Sequence, residues 1–576
     1  MMRFVPTRWV GGVEVHVTAE AVGEKVAEGG DPLIPRTKTI PELLDRAARL
    51  YPGHVALDFF GKEWTYGELD AEVGRAAYGL EQLGLKAGDR FALCLPNTPY
   101  YVILYFAVLR LGAIVVNLNP LYSADELEEL LKDSGARMVA VPDVKSISGK
   151  VAHVAEGTKV ERIVLCPIAD AMPTLKGWGY RLIKRGEIAH VRDSALYYAY
   201  SDLVSQGDGA ERPSIDPEDI AVLQYTGGTT GVPKGAMLTH GNLIANAQQM
   251  LVHAHPERPF QERTTAVLPM FHVFALTTVL NYSIAIAGEI VLMPRFEMKA
   301  FLNSVKRKPP SQFFGVPTLW IALNALPEAQ FPKFPEMRAF VSGGAPLPLE
   351  VREEFERRTG KRLVEGYGLT EASPIITCNP LFEGEIKPNS CGPAFPGTVI
   401  EIRDLEDPHK LLPQGERGEV CARGPQVMKG YWNRPDATER TFVDGALRTG
   451  DVGYLDEDGY LFLVDRIKDL ILCSGYNVYP RTIEDAAYEF PAVGEAIAVG
   501  VPDHYRGEAP WLFVAPKAGM TIDVDELREF LSHELSKIEE PDRIEVRASL
   551  PKTPVGKLSK KDLLAQERDL IAGGAR

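Results

Sequence analysis

The sequence predicts an α/β protein: a large N-terminal domain of doubly wound sheets with a β-rich subdomain, and a small mobile α+β C-terminal domain. Three patterns lead there. Between residues 90 and 141, strand-like and helix-like stretches alternate, as in a parallel sheet covered on both faces. The alternation resumes from 220 to about 400. From about 401 to 464, short strands and Gly-rich turns take over, and a charged joint, Asp465-Arg466-Ile467-Lys468-Asp469, separates them from a mixed segment.

Taken in order, apolar residues at 43, 44, 47, 48 and 51 give 40–51 one apolar helical face. Thr65 with Glu68 reads as a capping box opening a helix with apolar positions at 69, 73, 77, 80 and 83. The stretch 90–95 reads as a buried strand, 100–111 as a helix and 113–118 as a second strand. Ser123 with Glu126 caps another helix, Gly135 ends it, and 138–141 is a third strand. The stretch 167–215 mixes Pro, Gly and basic residues and reads as an irregular excursion. In the last segment, strands near 494–501, 511–516 and 543–547, a helix near 523–536 and a terminal helix form a unit large enough to fold alone. The expected domains are 1–466, with the β-rich subdomain at about 401–464, and 467–576.

Composition narrows the function. The chain has 576 residues, enough for roughly three to five folding units. With 63 Lys plus Arg against 78 Asp plus Glu, the net charge of −15 argues against a nucleic-acid partner. A hydrophobic fraction of 45% excludes disorder. The six cysteines form no C-x-x-C pair, which argues against a zinc site or disulfide framework and for a reducing compartment. The N-terminus lacks the apolar run of a signal peptide, and the longest apolar stretch, 100–116, is interrupted by Arg110 and Gly112. The expected location is cytoplasmic; a peripheral membrane contact and a homodimer are both compatible with the sequence.

The most informative stretch is Tyr225-Thr226-Gly227-Gly228-Thr229-Thr230-Gly231-Val232-Pro233-Lys234-Gly235. Its glycines admit an anion close to backbone N–H groups, its threonines donate hydroxyls and its lysine supplies charge, which together make a polyphosphate cradle. It is not a Walker A loop: Gly follows Lys234, and strand-like flanks replace the helix. A surface hairpin is the bland alternative, and kinase-type phosphoryl transfer is disfavoured.

The run resembles the signature of adenylate-forming enzymes, which include acyl-CoA synthetases, luciferases and peptide-synthetase adenylation domains. Seven further motifs follow in the family's order. They are Leu268-Pro269-Met270-Phe271-His272, Phe314-Gly315-Val316-Pro317-Thr318, Ser342-Gly343-Gly344-Ala345-Pro346, Gly366-Tyr367-Gly368-Leu369-Thr370-Glu371, Thr449-Gly450-Asp451, the charged joint, and Pro551-Lys552-Thr553-Pro554-Val555-Gly556-Lys557. Within the family, the stretches 119–135, 268–277 and 421–438 are most similar to bacterial long-chain fatty-acid–CoA ligases.

The resemblance implies two half-reactions using ATP, Mg²⁺ and coenzyme A. A carboxylate is converted to acyl-AMP with release of pyrophosphate, and the coenzyme A thiol then displaces AMP. It also implies the roles. Thr226 and Glu371 hold Mg²⁺. The loop residues Thr226, Gly227, Gly228, Thr229, Thr230, Gly231 and Lys234 bind ATP, as do Glu365, Gly366, Gly368 and Thr370. Tyr367 stacks on adenine, which Gly344 and Ala345 approach through the backbone. Asp451 accepts from the ribose hydroxyls and Arg466 supports the same ribose. Lys468 is the hinge, Lys557 the catalytic cation of the first step, His272 a positioning group between acyl pocket and thiol channel, and Gly475 the passage for pantetheine. At 365 this chain has Glu where some family members have Gln.

The acyl pocket is expected from 268–290 and 314–322, which are apolar and contain small residues. Such a lining suits an alkyl chain but equally any core, so aryl or medium-chain acids stay open, as does an acyl-AMP ligase. Outside the family, a kinase-like phosphotransferase or a non-catalytic nucleotide sensor are the alternatives.

Overall fold

A computed structural model describes residues 7–10, 13–16, 37–189, 196–226, 233–255, 259–474, 476–503, 505–553, 558–568 and 570. Two large sheets contribute to one apolar core. The first orders its seven strands Lys234–Thr239, Ile220–Thr226, Ile114–Asn117, Arg90–Leu93, Met138–Pro142, Arg162–Cys166 and Tyr197–Ala199. Its edge strand Lys234–Thr239 is antiparallel and the rest are parallel. The second orders eight: Ile375–Cys378, Leu363–Gly368, Ala339–Gly343, Gln312–Gly315, Arg263–Ala266, Glu289–Leu292, Val55–Phe59 and Lys62–Thr65. Both of its edges are antiparallel and its inner pairs parallel.

The longest apolar stretch of the sequence becomes helix Pro99–Arg110, buried at every residue. A helix apolar all round must be packed on all sides. Its one charge, Arg110, meets Asp45 at 2.6 Å and also pairs with Asp70. No helix among the described residues is long and apolar enough to cross a membrane. Local signals act as expected. Thr65 with Glu68 and Ser123 with Glu126 form complete capping boxes, and Gly135 ends its helix at φ +62°. Each such cap is worth about 1 kcal/mol.

A five-stranded antiparallel sheet follows, built from Val399–Arg403, Gly418–Arg423, Ala446–Leu455, Phe442–Val443 and Leu461–Arg466. The last sheet joins Tyr476–Val478, Ile471–Cys473, Gly507–Pro516 and Val493–Asp503, with Arg543–Val546 parallel to Gly507–Pro516. It shares an apolar cluster with helices Pro480–Glu489 and Val524–Glu534. Strand Tyr476–Val478 and helix Pro480–Glu489 were not expected from sequence; Tyr476, Asn477 and the early Pro480 obscure them.

The stretch 167–215 is a correction. It holds helix Thr174–Ile183, strand Tyr197–Ala199 and helix Tyr200–Ser205. Gly177 and Gly179 weaken the helical signal. Gly177 has a packing reason: a Cβ there would lie 2.4 Å from the Ala169 carbonyl oxygen. The six cysteines are all buried and free, in line with the reading against a disulfide framework.

Candidate active site

The sequence motifs gather at the carboxyl ends of parallel strands from both large sheets: Thr226, Ala266, Gly315, Gly343 and Gly368 each end one. Open α/β sheets bind ligands outside such ends. Gly227, Gly228, Thr229, Thr230 and Gly231 lie outside the described residues, as do Gly475 and Lys557. The base of the glycine loop is described. Thr226 stands opposite Lys234 in an antiparallel pair and its hydroxyl donates to the Lys234 carbonyl at 3.4 Å. The loop therefore joins two strands, unlike a Walker loop.

On the nucleoside side, Gly343 and Gly366 are opposite one another in adjacent strands. A Cβ on Gly368 would lie 2.2 Å from the Pro374 carbonyl oxygen, so that position admits no side chain, and one on Gly343 would lie 3.0 Å from the Phe274 ring, which would have to shift to make room. Gly344 turns the chain at φ +83°, leaving Ala345 half-buried. The Tyr367 hydroxyl donates to Asp451, whose other oxygen faces Arg466 Nε at 3.2 Å. Asp451 and Arg466 are directly opposite in strand register, which brings the pair together over fifteen positions of sequence. A carboxylate offers about four lone-pair sites, so Asp451 can accept two ribose hydroxyls as well. Burial, then the Asp451 charge, pushes the Tyr367 hydroxyl far above its ordinary range and keeps it a donor. Burial opposes the Arg466 charge, but Asp451 and Asp469 outweigh it.

On the phosphate side, Lys234 Nζ lies 5.0 Å from the Tyr431 ring centroid, and the Tyr431 hydroxyl donates to Glu371 Oε1 at 2.7 Å. The Glu371 carbonyl accepts from Met428 N at 2.8 Å. Thr370 and Glu371 share the short turn Thr370–Ala372. Thr226 supplies a hydroxyl and Glu371 a carboxylate with one oxygen oriented by Tyr431. Two hard oxygen donors with the rest left to water and phosphate fit Mg²⁺, which is rarely caged by protein alone. Tyr431 was missed from the sequence as a site residue, because nothing local marks a Tyr in Gly430-Tyr431-Trp432 as the partner of an acid sixty residues earlier.

A polar strut also went unforeseen. Asn97 Nδ2 donates to the carbonyls of Ala266 (2.9 Å) and Leu268 (2.8 Å), and its Oδ1 accepts from Met270 N at 2.8 Å. The Tyr101 hydroxyl meets the Met270 carbonyl at 2.7 Å and Asn117 Oδ1 at 2.8 Å. Asn117 Nδ2 donates to Gln224 Oε1 at 2.9 Å, and Gln224 Nε2 to the Phe271 carbonyl at 2.8 Å. The turn carrying His272 is thus tied to the strand carrying Thr226. His272 is half-buried, and its Nδ1 accepts from Phe274 N at 3.4 Å. A π-helical stretch, Leu276–Asn281, comes next, a feature frequent at functional sites.

Behind these residues lies a joint of mostly half-buried charges. Arg481 Nε approaches Asp485 at 3.5 Å and its backbone N–H donates to Asp465 Oδ2 at 2.7 Å. Burial raises the Glu365 carboxyl, and the Arg481 guanidinium partly offsets this. Burial likewise raises Asp465, Glu484 and Asp485. Lys560 Nζ meets Glu484 at 3.1 Å, and Lys552 Nζ meets Glu495 at 2.5 Å. Two lysines near Lys557 are therefore tied to acids instead of forming a solvated basic tail. Lys468, in the short turn Ile467–Asp469, is lowered by burial and then by Arg466.

A narrow apolar crevice of about 40 Å³ lies between helix His240–Ala254 and strands of the eight-stranded sheet. Met250, Phe314, Val341, Ile375, Cys378 and Phe395 are among its lining. Val341 and Phe314 sit on strands that end at Gly343 and Gly315, on the nucleotide side. This differs from the expected stretches 268–290 and 314–322: of the lining residues, Phe314 alone falls there. The stretch 276–285 is instead wholly buried in the core, because its apolar side chains pack between helices.

With this geometry in place, comparison with known proteins is direct. Residues 44–432 match the family described as AMP-binding enzyme, and 482–557 match the AMP-binding enzyme C-terminal domain. A long-chain-fatty-acid–CoA ligase of Bacillus subtilis (strain 168) is 40% identical over 539 residues, covering 92% of this chain and 95% of that protein. A feruloyl-CoA synthase of Amycolatopsis sp is 34% identical over 518 residues, covering 90% and 97%. Among solved structures, ATP-bound MatB from Rhodopseudomonas palustris superposes with a TM-score of 0.81 at 29% identity, covering 92% of this chain and 99% of that one. The chain belongs to the AMP-binding enzyme family.

Proposed function

We propose that this chain is a long-chain fatty-acid–CoA ligase that forms acyl-AMP and then acyl-CoA, using ATP, Mg²⁺ and coenzyme A. The observation that carries the substrate is the match along more than nine-tenths of the chain to long-chain-fatty-acid–CoA ligases, and the narrow apolar crevice whose lining strands end at the nucleotide motifs is compatible with it. Each CH₂ buried in such a site contributes about 0.8 kcal/mol. The long-chain ligase among the relatives supports the same reading.

In the first step an oxygen of the fatty carboxylate attacks the α-phosphorus of ATP, the bond to the bridging oxygen breaks, and pyrophosphate leaves. Both reactants are anions, so catalysis is positioning and charge neutralisation. Thr226 and Glu371 would hold Mg²⁺, whose charge offsets that of the departing pyrophosphate. Thr226, Gly227, Gly228, Thr229, Thr230, Gly231 and Lys234 cradle the phosphates. Gly344, Ala345, Glu365, Gly366, Tyr367, Gly368 and Thr370 surround the adenine side, while Asp451 and Arg466 hold the ribose. Lys557 bridges the incoming carboxylate and the α-phosphate. In the second step the coenzyme A sulfur attacks the acyl carbon and AMP departs; His272 positions the acyl group and Gly475 borders the pantetheine path.

The domains in this proposal are 1–466 and 467–576, turning about Lys468 between the steps. Support comes from the separate sheet and apolar cluster of the C-terminal part. Lys468→Pro is expected to spare adenylation and damage thioester formation; equal loss of both steps in a folded variant overturns the hinge.

The test of the whole is product analysis with fatty acids of graded length and two aryl acids, with and without coenzyme A. AMP plus pyrophosphate, rising with chain length, is the expected result, and ADP or no turnover defeats it. The feruloyl-CoA synthase relative favours an aryl acid as the second reading; turnover of ferulate above that of long-chain acids would establish it.

A further inference from the structure

Helix Thr174–Ile183 takes no part in the chemistry above, yet it turns its large apolar side chains to solvent. Leu175, Trp178, Leu182 and Ile183 are 89%, 71%, 78% and 80% exposed. Positions 175, 178 and 182 fall on one helical face. The other face is seated: Gly177 lies against the Ala169 carbonyl and Tyr180 packs on the main core. Packing therefore fixes the apolar face outward, and a row of exposed apolar side chains marks an interaction surface.

Charge selects the occupant. The chain carries a net −15, but residues 170–187 hold four cations, Lys176, Arg181, Lys184 and Arg185, against two acids. Arg181 pairs with Asp170, and Lys184 with Glu187 at 2.8 Å, while Lys176 Nζ donates to the neutral Phe60 carbonyl at 2.6 Å. An apolar helical face with Trp and Leu, bordered by Lys and Arg, is the composition that lies in a bilayer interface and is drawn to anionic headgroups.

We propose that helix Thr174–Ile183 docks the protein peripherally on an anionic lipid bilayer, with Leu175, Trp178 and Leu182 entering the headgroup layer and the basic residues facing its charge. The docking does not depend on which acid is activated.

The full chain is incubated with phosphatidylcholine vesicles, with and without phosphatidylglycerol, and sedimented. Binding is expected to the phosphatidylglycerol vesicles, to fall with salt, and to drop at least about tenfold in the combined variant Leu175→Ser, Trp178→Ser, Leu182→Ser. Pyrophosphate exchange with a water-soluble acid should be unchanged in that variant, which also reports that it is folded. In Trp178→Phe the vesicle-induced blue shift of tryptophan emission should disappear. The proposal is overturned if the wild-type chain stays in the supernatant, or if the triple variant sediments equally well. It is also overturned if the three substitutions dissolve a dimer of this chain without any vesicle binding having been present, which would make the face a protein interface.

Discussion

The ribose side of the pocket and the joint behind it both rely on charged side chains, yet they are assembled in opposite ways. Tyr367, Asp451 and Arg466 are brought together by adjacent strands, and each has a direct partner within the trio. In the joint, Glu365, Asp465, Glu484 and Asp485 are acids that burial makes reluctant to ionise, balanced by Arg481 and Lys560 from elsewhere in the chain. Direct pairing in register gives a fixed receptor. The joint also pairs directly, Lys560 with Glu484 at 3.1 Å and Arg481 with Asp485 at 3.5 Å, but it gathers more acids than cations, so removing one cation leaves an acid uncompensated.

The largest expected effect is in the joint. Arg481→Met strands the half-buried Glu365 carboxylate and is expected to cost about 2 kcal/mol of unfolding free energy, measured by chemical denaturation. Adding Glu365→Gln should recover about 1 kcal/mol, since it removes one stranded acid. Simple additivity would show that the two side chains are not coupled. In the receptor, Asp451→Ala should lower kcat/KM for ATP about a hundredfold with little change in stability. A drop of less than tenfold in pyrophosphate exchange would remove the ribose role. Smaller again, Tyr431→Phe frees one Glu371 oxygen from its orienting bond and should raise the Mg²⁺ requirement about threefold, read from a Mg²⁺ titration at saturating ATP.

A pH effect of similar modest size lies outside both regions. His240 is buried, accepts from Ile40 N at 3.3 Å, and burial lowers it to about 4. Its folded form prefers to be neutral, so its contribution to stability is full above its ordinary value and is lost as pH falls toward 4. Between about pH 7 and about pH 5.5 the loss should be about 1 kcal/mol, and His240→Asn should flatten it. The acids of the joint carry the opposite sign. Their folded forms hold protons more tightly, so their contribution is greatest below the ordinary carboxylate range and fades as pH rises through the raised values.

The fold and the nucleotide motifs were readable because both depend on short-range signals: capping boxes, alternation of strands and helices, and glycines where backbones approach. Tyr431, Gln224 and Lys560 were not, because their partners lie far away in sequence and no local pattern distinguishes them from other polar residues. The crevice was not readable for a related reason. Residues 276–285 and the residues lining it are equally apolar, and only the stacking of helix His240–Ala254 on the eight-stranded sheet decides which set borders empty space. Helix Thr174–Ile183 was hidden by its own glycines and by an apolar face that points away from any core.

Gln224 stands two residues before Thr226 and grips the carbonyl just before His272. The strand leading into the glycine loop and the turn presenting the imidazole therefore share one anchor, so loosening 268–272 to admit a bulkier acid is expected to disturb the base of that loop as well.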